Sequence, residues 1–209
     1  MQRQEPVTVD LEAGGALLLA GTARSGRTSA LLTLARVSAR QLEPAELHLY
    51  VIDCGGGGLG ALSGLHHCGS ATTAREFGVV AALLRRLEQS MRQRRDRLLA
   101  LGVDCVREAR DAGHDFPLQL CVLDGWEGFV ALAEDADLGV SVERFLRILR
   151  GAPSTGLTVA VTGDRTTLAP RLAAAVETKY LLRLADRSDY ALAAISARAV
   201  PEAAPHPDC

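Results

Sequence analysis

The stretch "LLLAGTARSGRTSAL", residues 17–31, decides how the rest of the chain is read. An apolar run ends at Gly21. Gly26 follows at the spacing G-x-x-x-x-G, and Thr28 places a hydroxyl two residues beyond it. A strand, a glycine loop and a helix in that order make a cradle for phosphate. The backbone amides of the loop and of the helix N-terminus point at an anion. The bare glycines let the chain wrap close to it. One position departs from the pattern: Arg27 stands where G-x-x-x-x-G-K-[ST] has lysine. Arginine keeps the charge but is larger, planar and forked. A loop carrying it is expected to hold phosphate better than it stabilises the charge of a transition state. Two plainer readings compete: a glycine turn without a ligand, and an arginine that reflects coding bias, since Lys179 is the only lysine.

Working outward, "ALLLAG" (16–21) reads as a buried strand and residues 28–42 as a helix with Leu31, Leu34 and Ala35 on one side. "PVTVDL" (6–11) alternates like a short strand. "ELHLYVIDC" (46–54), "LQLCVLDG" (118–125), "LTVAVTGD" (157–164) and "KYLLRLAD" (179–186) are further strands. The spacing of Phe77, Val80, Leu84, Leu87, Met91 and Leu98 predicts a long helix over 73–101, stopped by Gly102. Ser141 is positioned to cap a helix "VERFLRILR", and a short helix is expected over 170–176. Continuous apolar strands alternating with helices define an α/β fold, a mostly parallel sheet with helices on both faces. One domain is expected over 1–200, and the proline-bearing tail 201–209 reads as disordered.

Ligands on such sheets bind at the carboxyl ends of the strands, where Asp53, Asp124 and Asp164 all fall. The apolar strand ending in Asp124 is the natural second half of a phosphate site, with Asp124 and the Thr28 hydroxyl placed to hold Mg²⁺. Gly125 follows where a hydrolase would carry an acid; Glu127, two residues further on, and Asp164, at the end of the neighbouring strand, are the two candidates to activate water. "GGGGLG" (55–60) also satisfies G-x-G-x-x-G, but no short βα unit with an acidic strand end follows it. A loop lying near the phosphates accounts for it better than a dinucleotide fold does.

The chain has 209 residues, a formal net charge of -2, 48% apolar and 23% charged residues, all ordinary for a soluble domain. No global basic field advertises nucleic acid. The arginines of 85–103 form a local patch that reads either as a solvated face partnered by Glu88 and Asp96 or as phosphate contacts. Five cysteines without C-x-x-C spacing read as reduced residues of a cytosolic protein. "HHC" (66–68) lacks a second ligand cluster and reads as an ordinary loop. No apolar segment is long enough to span a membrane.

Together these segments resemble the FtsK/SpoIIIE family of P-loop ATPases across roughly residues 15–195. "LLLAGTARSGRTSAL" resembles its Walker A unit, "LHLYVIDCGGGGLGAL" its second strand and glycine loop, and "LQLCVLDGWEGF" its Walker B strand. The helix with Met91, Arg94 and Arg95 resembles the family's Met-x-x-Arg-[Arg/Tyr] helix. "YLLRLADRSDYALAAI" resembles its closing segment. The flavour is that of the degenerate modules of actinobacterial type VII secretion ATPases. The resemblance implies a RecA-like P-loop NTPase fold and ATP with Mg²⁺. Gly21, Thr22, Ala23, Arg24, Ser25, Gly26, Arg27, Thr28 and Ser29 would hold the nucleotide, Thr28 and Asp124 the metal, and Asp124 and Glu127 would serve catalysis. It implies a homo-oligomeric ring or tandem ATPase modules moving DNA or small secreted helical proteins. It places the chain in the cytoplasm, at the inner face of the cell membrane through a partner. Three positions depart: Arg27, Gly125, and Gly163 at the family's sensor glutamine.

Overall fold

The computed structural model describes residues 7–193. Six strands form one parallel sheet: β1 (Gly15–Ala20), β2 (Leu47–Asp53), β3 (Cys68–Thr73), β4 (Leu118–Asp124), β5 (Leu157–Gly163) and β6 (Thr178–Leu181), in the order β3-β2-β4-β5-β1-β6. All of β1, β4 and β5 is buried, which is why these strands read as unbroken apolar runs rather than alternating ones. Alternation survives only in where the side chains go. Leu18 of β1 joins one core, with Ile52, Leu123 and Val161. Leu17 and Leu19 join the other, with Val51, Val122 and Ala160.

Helices α1 (Arg27–Gln41) and α3 (Val106–Asp111) cover the second core with Leu31, Ala35, Val106 and Ala109. Helices α2 (Phe77–Leu101), α4 (Trp126–Asp137) and α5 (Val140–Gly151) cover the first. There Trp126, Phe129 and Phe145 meet with ring centroids 5.4–5.7 Å apart. A short helix α6 (Pro170–Ala173) precedes β6.

Several expectations change. The described part of the expected first strand, residues 7–11, pairs with nothing in the sheet. Asp10 instead accepts the amides of Glu12 and Ala13 and turns the chain, while Val9 and Leu11 pack on the second core. β3, "CGSATT", has no apolar period, because it is an edge strand facing solvent along much of its length. It ends at Thr73, and a 3-10 turn at Ala74–Glu76 takes up the start of the expected 73–101 helix, so α2 begins at Phe77. Ser141 is not the cap of α5. Gly139 is, in the left-handed region at φ 79°, and the Ser141 hydroxyl and amide both donate to Asp137. The glycine loop after β2 opens no helix: a 3-10 turn at Gly60–Gly64 leads to β3, which removes the dinucleotide reading. The expected tail 201–209 lies outside the described residues.

The arginine helix also resolves into parts. Arg94 donates to the Thr155 carbonyl and lies 4.6 Å over the Phe116 ring, and Arg95 donates to the Gly151 carbonyl at 2.9 Å. These two cations serve carbonyls at and just beyond the C-terminal end of α5, where a positive charge is favoured. Burial brings the Arg94 guanidinium down to about 10. Glu88 pairs not with its neighbours on α2 but with Arg144 and Arg147 of α5, at 2.9 and 3.0 Å. Burial alone would raise the Glu88 carboxyl, but the hydrogen bonds and charges of Arg144 and Arg147 outweigh it and hold it below its ordinary value. The native pair therefore contributes stability that is complete above the unfolded carboxyl's pKa, about 4.3, and is lost as the pH falls through the lower folded value. Urea unfolding of the protein and of Glu88→Gln across pH 3–7 should show the wild type ahead at neutral pH and the gap closing in acid.

Candidate functional site

The loop between β1 and α1 is anchored at both sides. The Gly21 amide donates to the Gly163 carbonyl at 3.0 Å and the Thr22 amide to the Arg183 carbonyl at 2.8 Å. A Cβ on Gly21 would strike the Ser25 hydroxyl and come within 2.9 Å of Leu182, so a side chain there would spread the loop. Arg24 and Gly26 take left-handed backbone, at φ 61° and 97°, which turns the chain sharply into α1. The first intrahelical bond runs from the Ala30 amide to the Gly26 carbonyl, leaving the amides of Arg27, Thr28 and Ser29 without an intrahelical acceptor. No acidic residue occupies the first turn of α1 and no side chain caps it. The Ser25 hydroxyl is buried without a hydrogen-bond partner. Ala23, Arg24 and Ser29 face solvent around this mouth. A positive helix end, free amides and an orphaned hydroxyl fit the phosphates of a nucleotide.

Asp124 is brought to the same place by β4. It is 3% exposed. Thr28 Oγ1 donates to its Oδ2 at 2.9 Å, and Thr162 Oγ1, from β5, donates to its Oδ1. The Gly125 amide donates back to Thr162 Oγ1 at 3.0 Å. A hydroxyl beside a carboxylate is the hard-oxygen donor pair that suits Mg²⁺. Among the described residues no three His, Cys, Asp or Glu side chains gather as a metal cluster elsewhere. In the "HHC" segment, His67 Nε2 sits 2.8 Å from the Leu42 carbonyl.

The three carboxyl-end aspartates do not act together. Asp53 accepts the amides of Gly55, Gly57 and Leu59 at 3.2, 3.0 and 2.8 Å and so holds the glycine loop in shape. Asp164 caps the 3-10 turn Arg165–Leu168 through the Thr166 amide. Only Asp124 meets the phosphate loop. The glycine loop does lie at the site, as expected: a Cβ on Gly55 would be 2.5 Å from Asp124 Oδ2, and one on Gly58 2.5 Å from the Thr28 methyl. Burial, then the Asp53 and Asp124 charges, push the Cys54 thiol in this loop up to about 12, so it is no nucleophile.

Arg27 is engaged. Its Nη1 lies 3.3 Å from Glu127 Oε1, with the two side chains 17% and 38% exposed. Glu127 Oε2 accepts the Asp164 amide at 3.3 Å. The two other departures from the P-loop pattern are equally built in. Gly125 has φ 80°, and a Cβ there would fall 2.8 Å from Gly55 Cα and N. A Cβ on Gly163 would strike Thr167 and stand 3.0 Å from Glu127 Oε2. Neither position has room for an acid or an amide side chain. Thr162 was not singled out by sequence reasoning. Its signal was a hydroxyl in an otherwise apolar buried strand, next in register to the strand that ends in Asp124.

A parallel sheet with β1 inside it, a phosphate cradle at its carboxyl end and a β4 aspartate against the cradle's threonine define the P-loop ATPase fold. The chain belongs to the FtsK/SpoIIIE family, whose profile matches residues 1–203. It is 34% identical over 199 residues to the ESX-1 secretion system protein EccCb1 of Mycolicibacterium smegmatis, covering 88% of this chain and 32% of that protein. It is 28% identical to the ESX-4 secretion system protein EccC4 of Mycobacterium tuberculosis, covering 96% of this chain and 16% of that one. Among solved structures, EssC (ATPases 2 and 3) from Geobacillus thermodenitrificans superposes with a TM-score of 0.77 at 22% identity, covering 94% of this chain and 37% of that chain. Thermomonospora curvata EccC (ATPases 2 and 3), in complex with a signal sequence peptide, does so with a TM-score of 0.76 at 25% identity, covering 97% and 37%. The chain is thus an FtsK/SpoIIIE-like ATPase module homologous to the ATPase domains of type VII secretion proteins, and it spans a third or less of the length of these curated relatives.

The steric reading of Gly125 is testable by denaturant unfolding. Gly125→Ala forces a side chain into left-handed backbone and against Gly55, and should cost about 2 kcal/mol or more. A change under about 0.5 kcal/mol would show that the 54–58 segment simply gives way.

Proposed function

We propose that this chain is a nucleotide-binding module of a secretion-type ATPase, in which ATP binding is kept and hydrolysis is weak or lost. The observation that carries the reading is the Arg27–Glu127 pair beside a Gly125 that cannot be replaced by an acid. Gly21, Thr22, Ala23, Arg24, Ser25, Gly26, Arg27, Thr28 and Ser29 would surround the phosphates. Thr28 and Asp124 would hold Mg²⁺, which would draw charge from the phosphates when bound. A general base must reach the attacking water with its charge free. Glu127 is tied to Arg27 and the Asp164 amide, and Asp124 already accepts from two hydroxyls.

The module would work beside others of its kind, as a homo-oligomeric ring or within tandem ATPase modules. Its cargo would be small secreted helical proteins, which the names of its relatives favour over DNA. No helix among the described residues is long and apolar enough to cross a membrane. The inner face of the cell membrane would therefore be reached through a partner or another segment. If turnover is absent altogether, the module acts as a regulatory or cargo-docking domain.

Calorimetry with ATP and Mg²⁺, followed by turnover on the same sample, tests this. Binding is expected with a Kd below about 1 mM, and turnover below roughly 0.1 s⁻¹, about a hundredfold under a typical enzyme. Arg27→Lys should not restore rapid hydrolysis, because nothing at position 125 can serve as base. No binding at about 1 mM ATP would sink the nucleotide reading, and brisk turnover in either protein would sink the claim of lost chemistry.

A further inference from the structure

A carboxylate is paired with the residue that, in a P-loop, reaches the last phosphate of a triphosphate. In that loop type the backbone serves the inner phosphates, and the basic residue after the second glycine reaches the outermost ones. Here that residue, Arg27, is paired with Glu127. Glu127 is fixed a second time by the Asp164 amide, and its Oε2 would stand 3.0 Å from a Cβ at position 163, a place that Thr167 blocks more closely still. A γ-phosphate then has two choices. It can break the Arg27–Glu127 pair, losing that attraction and leaving a free carboxylate next to itself. Or it can leave the pair intact and face the carboxylate directly. Like charges set side by side are unfavourable in both cases. A terminal β-phosphate would need neither: the amides of Arg27, Thr28 and Ser29, which lack an intrahelical acceptor, and the unpartnered Ser25 hydroxyl belong to the loop and the start of α1.

We propose that Glu127 makes the site selective for a nucleoside diphosphate over the triphosphate, through its hold on Arg27. This rests on the nucleotide-binding reading and sharpens it: the module's resting occupant is the diphosphate, and the triphosphate enters only by displacing Glu127. The selectivity comes from a repulsive group rather than from an added attraction.

Calorimetry of the full chain with ADP and with the non-hydrolysable triphosphate AMP-PNP, both with Mg²⁺, reads the difference. ADP should bind about tenfold more tightly. In Glu127→Gln the ratio should fall to about one, through a gain in AMP-PNP affinity, with ADP affinity changed by less than about twofold. A structural role for Glu127 would instead weaken both ligands alike, and that result overturns the proposal. So does AMP-PNP binding as tightly as ADP in the unaltered protein, or a ratio that the substitution leaves in place. If neither ligand binds, the nucleotide-binding reading falls together with this one. If both bind without discrimination, only this one falls.

Discussion

Asp124 is where three separate segments of the chain are made to agree. Its two carboxylate oxygens accept hydroxyls from Thr28 at the start of α1 and from Thr162 near the end of β5, and Gly55 packs its bare Cα against the same group. A buried carboxylate is tolerated only when its oxygens are satisfied. The two threonines supply that here, and in doing so they fix the phosphate loop relative to the sheet. Thr162 in turn accepts the Gly125 amide, so the strand end and the start of α4 are held by the same small network. Removing any one member would leave a buried oxygen without a partner.

The three departures from the P-loop sequence pattern lie close together in the structure. The glycine loop after β2 lies against Asp124 and Thr28, and Asp53 holds its shape by accepting three of its amides. Its backbone leaves no room for a side chain at position 125. Glu127, the second residue of α4, reaches toward position 163 and pairs with Arg27. Lysine would present a compact point charge at position 27. Arginine's longer fork spans the distance to Glu127 while its stem remains in the loop. The fold is intact around all three positions.

The rest of the domain keeps this edge of the sheet rigid. α2 is tied to α5 by Glu88 and by the two arginines that serve the carbonyls of Gly151 and Thr155. The aromatic cluster of Trp126, Phe129 and Phe145 seats α4, and with it Glu127, on the sheet. The solved EssC and EccC ATPase structures share this fold.

The buried strands, the phosphate loop and the long amphipathic helix were legible in the sequence. Their signals are local: apolar runs, glycine spacing and a 3.6-residue period. Asp124 and Glu127 were legible as candidates for the same reason, since a strand end and its following residues are identified by position alone. β3 was not legible, because an edge strand facing solvent needs no apolar pattern. The cap of α5 was misplaced on Ser141, because a left-handed glycine and a side chain from the preceding helix satisfy the same backbone need. What only the tertiary structure decided is which of the carboxyl-end groups are free. Asp53 and Asp164 hold their own turns, Glu127 is paired with Arg27, and position 125 is closed by Gly55 and Cys54, far away in sequence. Such pairings depend on distances between segments brought together by the sheet order, and that order has no local imprint in the chain.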